Sequence, residues 1–486
     1  MDTDGFKSYM NAQKELARKN RKVEASMNLQ NDLLINYKEE STFVGYEKLG
    51  LETTVLDIMK DDVFVDSSNT DCYIFLKENP FYAESGGQVS DSGYLKNDNC
   101  KLEVMDVIKA PNGQHLLYVK VLEGTVNKGE KILTHVLKEK RFAIMKNHSS
   151  AHLLQKSLQE LLGESVHQAG SKVDERELRF DFTYQGKLSD ELILKLEGLV
   201  NDKINAGYET KIEYKSLDEA KKLGAMALFS DKYGDTVRVV TMGNSIELCA
   251  GTHVTNTKDI NRFAIASIEN KGADTYRVTA TTDSNIEVVL DDEVSKYNDM
   301  MVKLLDKAKK IVLSAKELDI DLVFDFNINH DAPTSYKDVV YNKLELEHLR
   351  DSLKKLEKEF TIKKNEKSVS DLSSFLDIKE DINGITTIIS ITNGYDIGTL
   401  KQIVSNLSNQ IDNNFILLAN INEDNSVNYV AKSNSNRVNC GEIVKDLAVR
   451  SSGNGGGSPV FAQGGGTDAT IVPKLLINVK EKINTL

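Results

Sequence analysis

Asn147-His148-Ser149-Ser150-Ala151-His152-Leu153-Leu154 is the stretch on which the reading of this chain turns. Positions i and i+4 of a helix lie on one face a turn apart, so His148 and His152 can reach one ion. No Pro or Gly stands between Arg141 and Leu162, and apolar residues recur at Ile144, Met145, Leu153, Leu154, Leu158, Leu161 and Leu162, which predicts a helix. Further along, Cys249-Ala250-Gly251-Thr252-His253 sets a thiolate and an imidazole four positions apart. In a chain with 8 His and 4 Cys, the two patterns together arise by chance in roughly one chain in a hundred. Two ligands from a helix and two from a second segment match a tetrahedral zinc site. The plainer alternative is a pair of surface histidines and a buried free cysteine.

At 486 residues the chain has room for about three domains. Its composition, 40% hydrophobic and 28% charged with 5 Pro, is that of an ordinary globular protein. It contains no run of about eighteen apolar residues, which excludes a membrane-spanning helix. The start, Met1-Asp2-Thr3-Asp4, has no charged and apolar secretory pattern. Cys72, Cys100, Cys249 and Cys440 are too scattered for a disulfide framework, so a reducing cytoplasm is the expected compartment. A net charge of -13 argues against broad, non-specific nucleic-acid binding but leaves room for a local patch. Arg18-Lys19-Asn20-Arg21-Lys22 and Lys363-Lys364-Asn365-Glu366-Lys367 read as solvated helix faces.

Residues 5–35 carry a helical pattern (Phe6, Met10, Gln13, Leu16, Ala17) and read as the remnant of a preceding domain. From 43 to 136 the period changes to two. Val55-Leu56-Asp57-Ile58, Val63-Phe64-Val65, Cys72-Tyr73-Ile74-Phe75-Leu76, Leu102-Glu103-Val104 and His115-Leu116-Leu117-Tyr118-Val119 alternate with Asn, Asp and Gly turns. Short, evenly spaced strands of this kind predict a small β-barrel.

Within that barrel lies Asn79-Pro80-Phe81-Tyr82-Ala83-Glu84-Ser85-Gly86-Gly87-Gln88-Val89-Ser90-Asp91. On the residues alone, Gly86-Gly87 reads as a hairpin turn, or as paired glycines that bring backbone N–H groups close to a substrate beside the neutral amide of Gln88. The stretch resembles the FYxExGGQxxD signature of alanyl-tRNA synthetase editing domains and of their stand-alone relatives, the AlaX deacylases. The resemblance continues through residues 137–163, Gln168-Ala169-Gly170-Ser171, Leu178-Arg179-Phe180-Asp181-Phe182, Gly224-Ala225-Met226-Ala227-Leu228-Phe229 and Lys232-Tyr233-Gly234-Asp235. It leads into Glu247-Leu248-Cys249-Ala250-Gly251-Thr252-His253, which is similar to the family's C-x-G-T-H. The resemblance implies one Zn2+ per chain on His148, His152, Cys249 and His253, a catalytic part for Gln168, and substrate binding by Gly86, Gly87 and Gln88. Two departures stand out. Ala250 occupies a position usually held by Gly, and the segment 270–277 differs from the family's wording, so Arg277 receives no role. A further helix expected over 189–206 makes this an α+β layer.

Residues 286–367 return to a helical period. Val294, Tyr297, Met301, Leu304, Ala308, Ile311, Ala315 and Leu318 form one stripe, and Leu346, Leu349, Leu353, Leu356 and Phe360 another. Broken by Asp331-Ala332-Pro333-Thr334, they predict an antiparallel coiled-coil hairpin. The alternation Leu322-Val323-Phe324-Asp325-Phe326 between them suggests a strand, and residues 367–374 read as a linker. Beyond it, strands expected over 385–391, 415–420 and 427–431 alternate with helices over 396–411, 440–450 and from 475 on, an α/β pattern. Gly453-Asn454-Gly455-Gly456-Gly457-Ser458-Pro459 and Ala462-Gln463-Gly464-Gly465-Gly466 resemble the glycine loops of the family's C-terminal domain, C-Ala.

The expected fold is therefore multidomain α+β: a helical remnant over 1–40, a β-barrel over 41–136 and a zinc-containing deacylase domain over 137–285. A helical coiled-coil hairpin over 286–370 and an α/β domain over 371–486 complete it. The resemblance implies hydrolysis of the ester of tRNA(Ala) wrongly charged with serine or glycine. It also implies tRNA binding by the last domain, where Arg437, Lys445, Arg450, Gly455, Gly456 and Gly465 are the named contacts, and a homodimer interface in the coiled coil or that domain. Nothing in the sequence resembles an ATP-binding aminoacylation core, so ATP binding is not expected. The alternatives are a stand-alone AlaX-type deacylase and a tRNA-binding module whose zinc is purely structural.

Overall fold

The computed structural model describes residues 32–110, 112–226, 235–328 and 331–486. The helix expected over 5–35 lies outside them up to residue 31, as do residues 227–234 of the resemblance; Asp32–Ile35 is helical. The described residues fall into two compact units, one within Met1–Lys296 and His330–Lys343, the other within Tyr297–Asn329 and Leu344–Leu486.

Strict alternation builds the barrel of the first unit. In Lys131–Val136, Ile132, Thr134 and Val136 are buried while Lys131, Leu133 and His135 face out, as a pleated strand requires. Strands β1 (Glu52–Lys60), β2 (Val63–Val65), β3 (Cys72–Leu76), β4 (Gly93–Lys96), β5 (Cys100–Lys109), β6 (His115–Gly124) and β7 (Lys131–Val136) run antiparallel in the order β7-β4-β5-β6-β3-β1-β2. A further pairing of β7 with β1 closes six of them into a barrel, which removes two sheet edges. Val55, Ile74, Leu76, Leu102, Val104 and Leu117 fill it.

Helix α1 (Lys138–Leu162) follows directly, and its first turn is locked onto the barrel. Arg141 is buried; its Nε lies 2.9 and 3.1 Å from the two Asp91 carboxylate oxygens, and its Nη2 donates to the Pro80 carbonyl at 3.1 Å. Nη1 donates to the Gly45 carbonyl, and Asp91 also accepts the Tyr82 N–H at 2.7 Å. Removing one partner of such a pair strands a buried charge, at a cost of about 3–5 kcal/mol. The lock fixes the helix against the segment from Pro80 to Asp91, which contains Gln88.

The layer beyond the barrel holds β8 (Gln168–Val173), β9 (Leu178–Thr183), α2 (Asp190–Ala206), β10 (Thr210–Ser216), β11 (Thr236–Met242), β12 (Ser245–Leu248), β13 (Phe263–Gly272) and β14 (Thr275–Thr282). They sort into an antiparallel sheet β8-β9-β14-β13 and a three-stranded sheet β10-β11-β12. Leu178, Phe180, Phe182, Val278 and Ala280 form the buried face of the first sheet, on which α1 packs. Helix α2 begins where the sequence places it: the Ser189 side chain accepts the Leu192 N–H, and Gly207 at φ 69° ends it.

Helices α3 (Ile286–Glu317) and α4 (Tyr336–Asp377) carry the two apolar stripes. In the second unit Met301 clusters with Leu346 and Leu349, and Ala308 and Ala315 with Leu353 and Leu356. Two expectations fail here. Residues 322–326 are not a strand: they have no strand partner among the described residues, and Leu322, Phe324, Phe326 and Ile328 drop onto the helices while Val323 stays 81% exposed. Packing against helices thus produces the same alternation as a sheet. Nor are residues 367–374 a linker, because α4 runs through them to Asp377. Ser and Asp cost only a few tenths of a kcal/mol each in a helix, and no Gly or Pro interrupts.

The remaining strands are β15 (Glu380–Ile382), β16 (Ile385–Asn393), β17 (Asn414–Ile421), β18 (Val427–Ser433), β19 (Asn454–Gly457) and β20 (Phe461–Gly466). They form one sheet, β15-β16-β17-β18-β20-β19, in which β16 and β17 are parallel. Helix α5 (Ile397–Gln410) covers one face, and α6 (Cys440–Arg450) with α7 (Val472–Asn484) covers the other, so β17 is buried on both sides. The glycine runs expected as loops are the strands of a hairpin, with Gly455 opposite Gly464 and Asn454 opposite Gly465. A Cβ on Gly464 would stand 2.9 Å from Val444 Cγ1, so the missing side chain is what lets α6 lie on this hairpin.

Candidate metal centre

The structure brings His148, His152, Cys249 and His253 together, with one ligand atom of each within 4.8 Å of all the others. The two histidines of α1 face the loop that leaves β12, and the three imidazole centroids lie 4.6 to 5.5 Å apart. Cys249 Sγ is 3.5 Å from His148 Nε2 and 3.3 Å from His253 Nε2. Nitrogen and sulfur ligands at tetrahedral zinc distances stand about 3.3–3.6 Å from one another, so this donor set fits the ion.

Two of the three imidazoles have a hydrogen-bond partner on Nδ1. His148 Nδ1 lies 2.7 Å from Gln88 Oε1, which also accepts the Thr252 N–H at 2.9 Å, while Gln88 Nε2 donates to Thr252 Oγ1 at 2.9 Å. An oxygen that already accepts one N–H forces Nδ1 to be the donor, which leaves the Nε2 lone pair for a metal. His253 Nδ1 lies 3.2 Å from Ser149 Oγ, which also accepts the Val254 N–H at 3.1 Å. His152 Nδ1 is 3.2 Å from Glu247 Oε2 but out of line for a hydrogen bond, and Glu247 Oε1 accepts from Ser245 Oγ.

Burial sets the electrostatics. It lowers His148 to about 4 and holds His152 and His253 well below the usual imidazole range, helped by the neighbouring rings and by Arg238. It also pushes the Cys249 thiol up to about 12 and the Glu247 carboxyl up to about 8. Neutral imidazoles offer their lone pairs at neutral pH, and a cation bound here displaces the thiol proton.

The remaining named residues are placed as follows. Gly86 and Gly87, both at positive φ, turn a tight hairpin in which Ser85 and Gln88 exchange backbone hydrogen bonds. Gly87 passes so close to β8 that a Cβ would lie 2.5 Å from the Ser171 carbonyl oxygen. Gln168 Nε2 donates to Ser171 Oγ at 2.9 Å, beside that turn, and no hydrogen bond joins it to the four donors among the described residues. In the second unit Arg437, Lys445 and Arg450 are exposed; Arg437 Nη1 donates to the Asn383 carbonyl, and Arg450 pairs with Asp446 at 3.5 Å. Gly455 and Gly465 line an open hollow of about 390 Å³ with Asn428, Asn454 and Gln463, and Gly456 lies in the same strand as Gly455.

Sequence reading missed three supports: Arg141, Tyr46 and Arg238. Arg238 Nη1 donates to the carbonyls of Cys249 (2.7 Å) and Gly251 (3.0 Å), and Tyr46 donates its hydroxyl to the Ala250 carbonyl at 2.6 Å.

Family models match three stretches of the chain. They are tRNA synthetases class II (A) over residues 1–140, the threonyl and alanyl tRNA synthetase second additional domain over 237–279, and the DHHA1 domain over 383–485. The alanine–tRNA ligase of Halalkalibacterium halodurans is 37% identical over 493 residues, covering 100% of this chain and 53% of that protein. The alanine–tRNA ligase of Bacillus cytotoxicus is 35% identical, covering 100% and 52%. The chain thus spans about half the length of the curated relatives it matches. The crystal structure of the C-Ala domain from Aquifex aeolicus alanyl-tRNA synthetase shares 22% identity, covering 22% of this chain and 97% of that one with a TM-score of 0.21.

Proposed function

We propose, from the premise that this chain corresponds to the C-terminal part of alanyl-tRNA synthetases, that its metal centre hydrolyses the ester of tRNA(Ala) mischarged with serine or glycine. The observation that carries the proposal is the meeting of three distant motifs at one point. The H-x-x-x-H helix, the C-x-G-T-H loop and the glutamine of the GGQ turn are joined by His148, Gln88 and Thr252.

His148, His152, Cys249 and His253 hold the ion. When bound, zinc polarises an ester carbonyl or acidifies a water molecule. Gln88 holds the proton on His148 Nδ1, Gly86 and Gly87 shape the wall that receives the aminoacyl end, and Gln168 contacts the substrate beside Ser171. The domain over 371–486 supplies tRNA affinity through Arg437, Lys445 and Arg450 and the hollow bounded by Gly455 and Gly465, with the helical hairpin or this domain as the homodimer interface. No helix among the described residues is long and apolar enough to cross a membrane. Solution work in the cytoplasm is the setting this reading calls for.

The test is hydrolysis of Ser-tRNA(Ala), Gly-tRNA(Ala) and Ala-tRNA(Ala) by the whole chain, with and without a chelator. Serine and alanine differ by one hydroxyl, and a site that hydrogen-bonds it discriminates by about 10⁴-fold. Rapid, chelator-sensitive release of serine is the expected result, and equal rates on the serine and alanine esters overturn it. A second reading has one observation in its favour: four protein ligands fill every tetrahedral position, the mark of a structural site. A chelated, still-folded sample that deacylates at the original rate selects that reading.

A further inference from the structure

The loop that carries Cys249 and His253 is gripped through its backbone, and the grip has a direction. Three successive carbonyls are taken: Cys249 and Gly251 by Arg238 Nη1 at 2.7 and 3.0 Å, and Ala250 by the Tyr46 hydroxyl at 2.6 Å. The two gripping side chains are themselves joined, since the Arg238 guanidinium carbon lies 4.2 Å from the centre of the Tyr46 ring. They come from different places. Arg238 is buried in β11, whereas Tyr46 belongs to the segment leading into the barrel and is 39% exposed.

A trans peptide is planar, so fixing a carbonyl aims the N–H of the next residue the opposite way. None of the described peptide bonds is cis. The Ala250–Gly251 peptide gives its carbonyl to Tyr46, and its N–H donates to Cys249 Sγ at 3.3 Å. The Gly251–Thr252 peptide gives its carbonyl to Arg238, and its N–H donates at 2.9 Å to Gln88 Oε1, the atom that accepts from His148 Nδ1. One peptide therefore delivers a hydrogen bond to the ligand sulfur, and the next delivers one to the group that orients a ligand imidazole.

We propose that Tyr46 and Arg238 are positioning residues of the metal centre, acting through two consecutive peptide planes on the Cys249 thiolate and on His148. The proposal rests on the metal-binding reading of the site. Neither residue touches the ion. Groups one shell out from a metal typically change its affinity by about 10–100-fold when removed. Tyr46→Phe deletes one hydroxyl and belongs near the lower figure; Arg238→Met deletes both carbonyl contacts and the stacked cation, and belongs near the upper. Because a single nitrogen serves both carbonyls, Arg238→Lys recovers much of the loss.

The experiment measures zinc affinity of the whole chain by competition with a chromophoric chelator, for the wild type, Y46F, R238M and R238K. Cobalt(II) replaces zinc in parallel samples, where the sulfur-to-cobalt charge-transfer band reports the thiolate and the visible band reports the coordination geometry. The expected result is about tenfold weaker zinc binding in Y46F, with a shifted charge-transfer band and an unchanged melting temperature of the metal-free protein. R238M weakens binding further, and R238K restores it in part. If R238M does not fold, Y46F alone decides. Wild-type affinity and spectrum in Y46F overturn the proposal. So does a loss of affinity that merely follows a loss of metal-free stability while the cobalt spectrum stays the same. A wild-type chain that takes up neither ion overturns the metal-centre reading itself, a result distinct from either.

Discussion

Replacing Gly251 by alanine tests the metal centre through a single atom. A Cβ at this position would stand 2.0 Å from His148 Cε1, 2.4 Å from His148 Nδ1 and 2.9 Å from Gln88 Oε1. Carbon atoms rest about 3.5 Å apart, so the imidazole has to retreat by about 1.5 Å. Ligand distances in a metal site tolerate about 0.2 Å, and His148 cannot serve as a ligand after such a shift. Gly251 is absent from the residues at positive φ, so the collision and not backbone strain is the cause. Losing one of four ligands exceeds the usual effect of losing an outer partner, which sets the expected loss of zinc affinity at about 100-fold or more, or about 2.7 kcal/mol. Gly198→Ala is the matched control. It sits in α2 with nothing within 4 Å of its added carbon, and alanine there is neutral or mildly stabilising. Zinc content by elemental analysis and competitive titration of G251A, G198A and wild type is the assay. A G251A protein that binds zinc as tightly as wild type refutes the assignment of His148 and the loop geometry together.

Three other outcomes follow from the same structure. Arg141→Met leaves Asp91 buried without its cation, so urea unfolding of the first unit falls by about 3–5 kcal/mol, whereas R141M combined with Asp91→Leu recovers part of it. Asp396 caps α5 through the Thr399 N–H at 2.9 Å and hydroxyl at 2.7 Å; burial raises its carboxyl, but these bonds and Lys364 outweigh that and hold it at about 2. A depressed folded value gives stability that is present above about pH 4 and lost as pH falls through 2, so D396A costs about 1 kcal/mol at pH 7 and distinctly less near pH 1, where only the neutral carboxyl's hydrogen bond is left to lose, read by calorimetry across pH. Lys445→Ala with Arg450→Ala weakens tRNA binding, lowers the slope of log affinity against log salt by about two, and leaves hydrolysis at saturation unchanged; an unaltered slope removes these side chains from the interface.

Period made most of the elements legible. The α1 helix, the helix over 189–206, the barrel strands around Val55, Val63, Cys72, Leu102 and His115, and the strands and helices expected at 385–391, 396–411, 415–420, 427–431, 440–450 and from 475 on stand within a few residues of where the pattern puts them. The failures share a cause. An alternating run records that every second side chain is covered, and it is silent on what covers it; residues 322–328 lie on helices and not in a sheet. Likewise a run of glycines permits a loop without requiring one. Between Asn454 and Gly466 the small residues serve a close approach of hairpin and helix, which only the position of Val444 and Ala448 makes visible.

In the candidate metal centre, the four side chains that meet could be picked out because both pairs sit at local spacings, whereas their supports come from residues far apart in the chain. Tyr46 meets Ala250 across 204 positions, and Arg141 meets Asp91 across 50. A signal was present all the same. Arg238 interrupts a strand of valines, Thr236–Met242, and Arg141 lies near the positive end of its helix, where the dipole disfavours a cation. A charge in a locally unfavourable place needs a partner from another element: Arg141 finds Asp91 in the barrel, and Arg238 finds the carbonyls of Cys249 and Gly251 and the ring of Tyr46 beside the barrel. The barrel therefore contributes to the site three times over: Asp91 holds the helix, Gln88 holds His148, and Tyr46 holds the ligand loop. Linkage makes that support reciprocal. An ion that binds only the folded arrangement stabilises it by RT ln(1 + [L]/Kd), about 2.7 kcal/mol at a hundred times Kd. That stabilisation extends to every element the site depends on, so metal loading must protect the barrel, from which none of the four ligands comes.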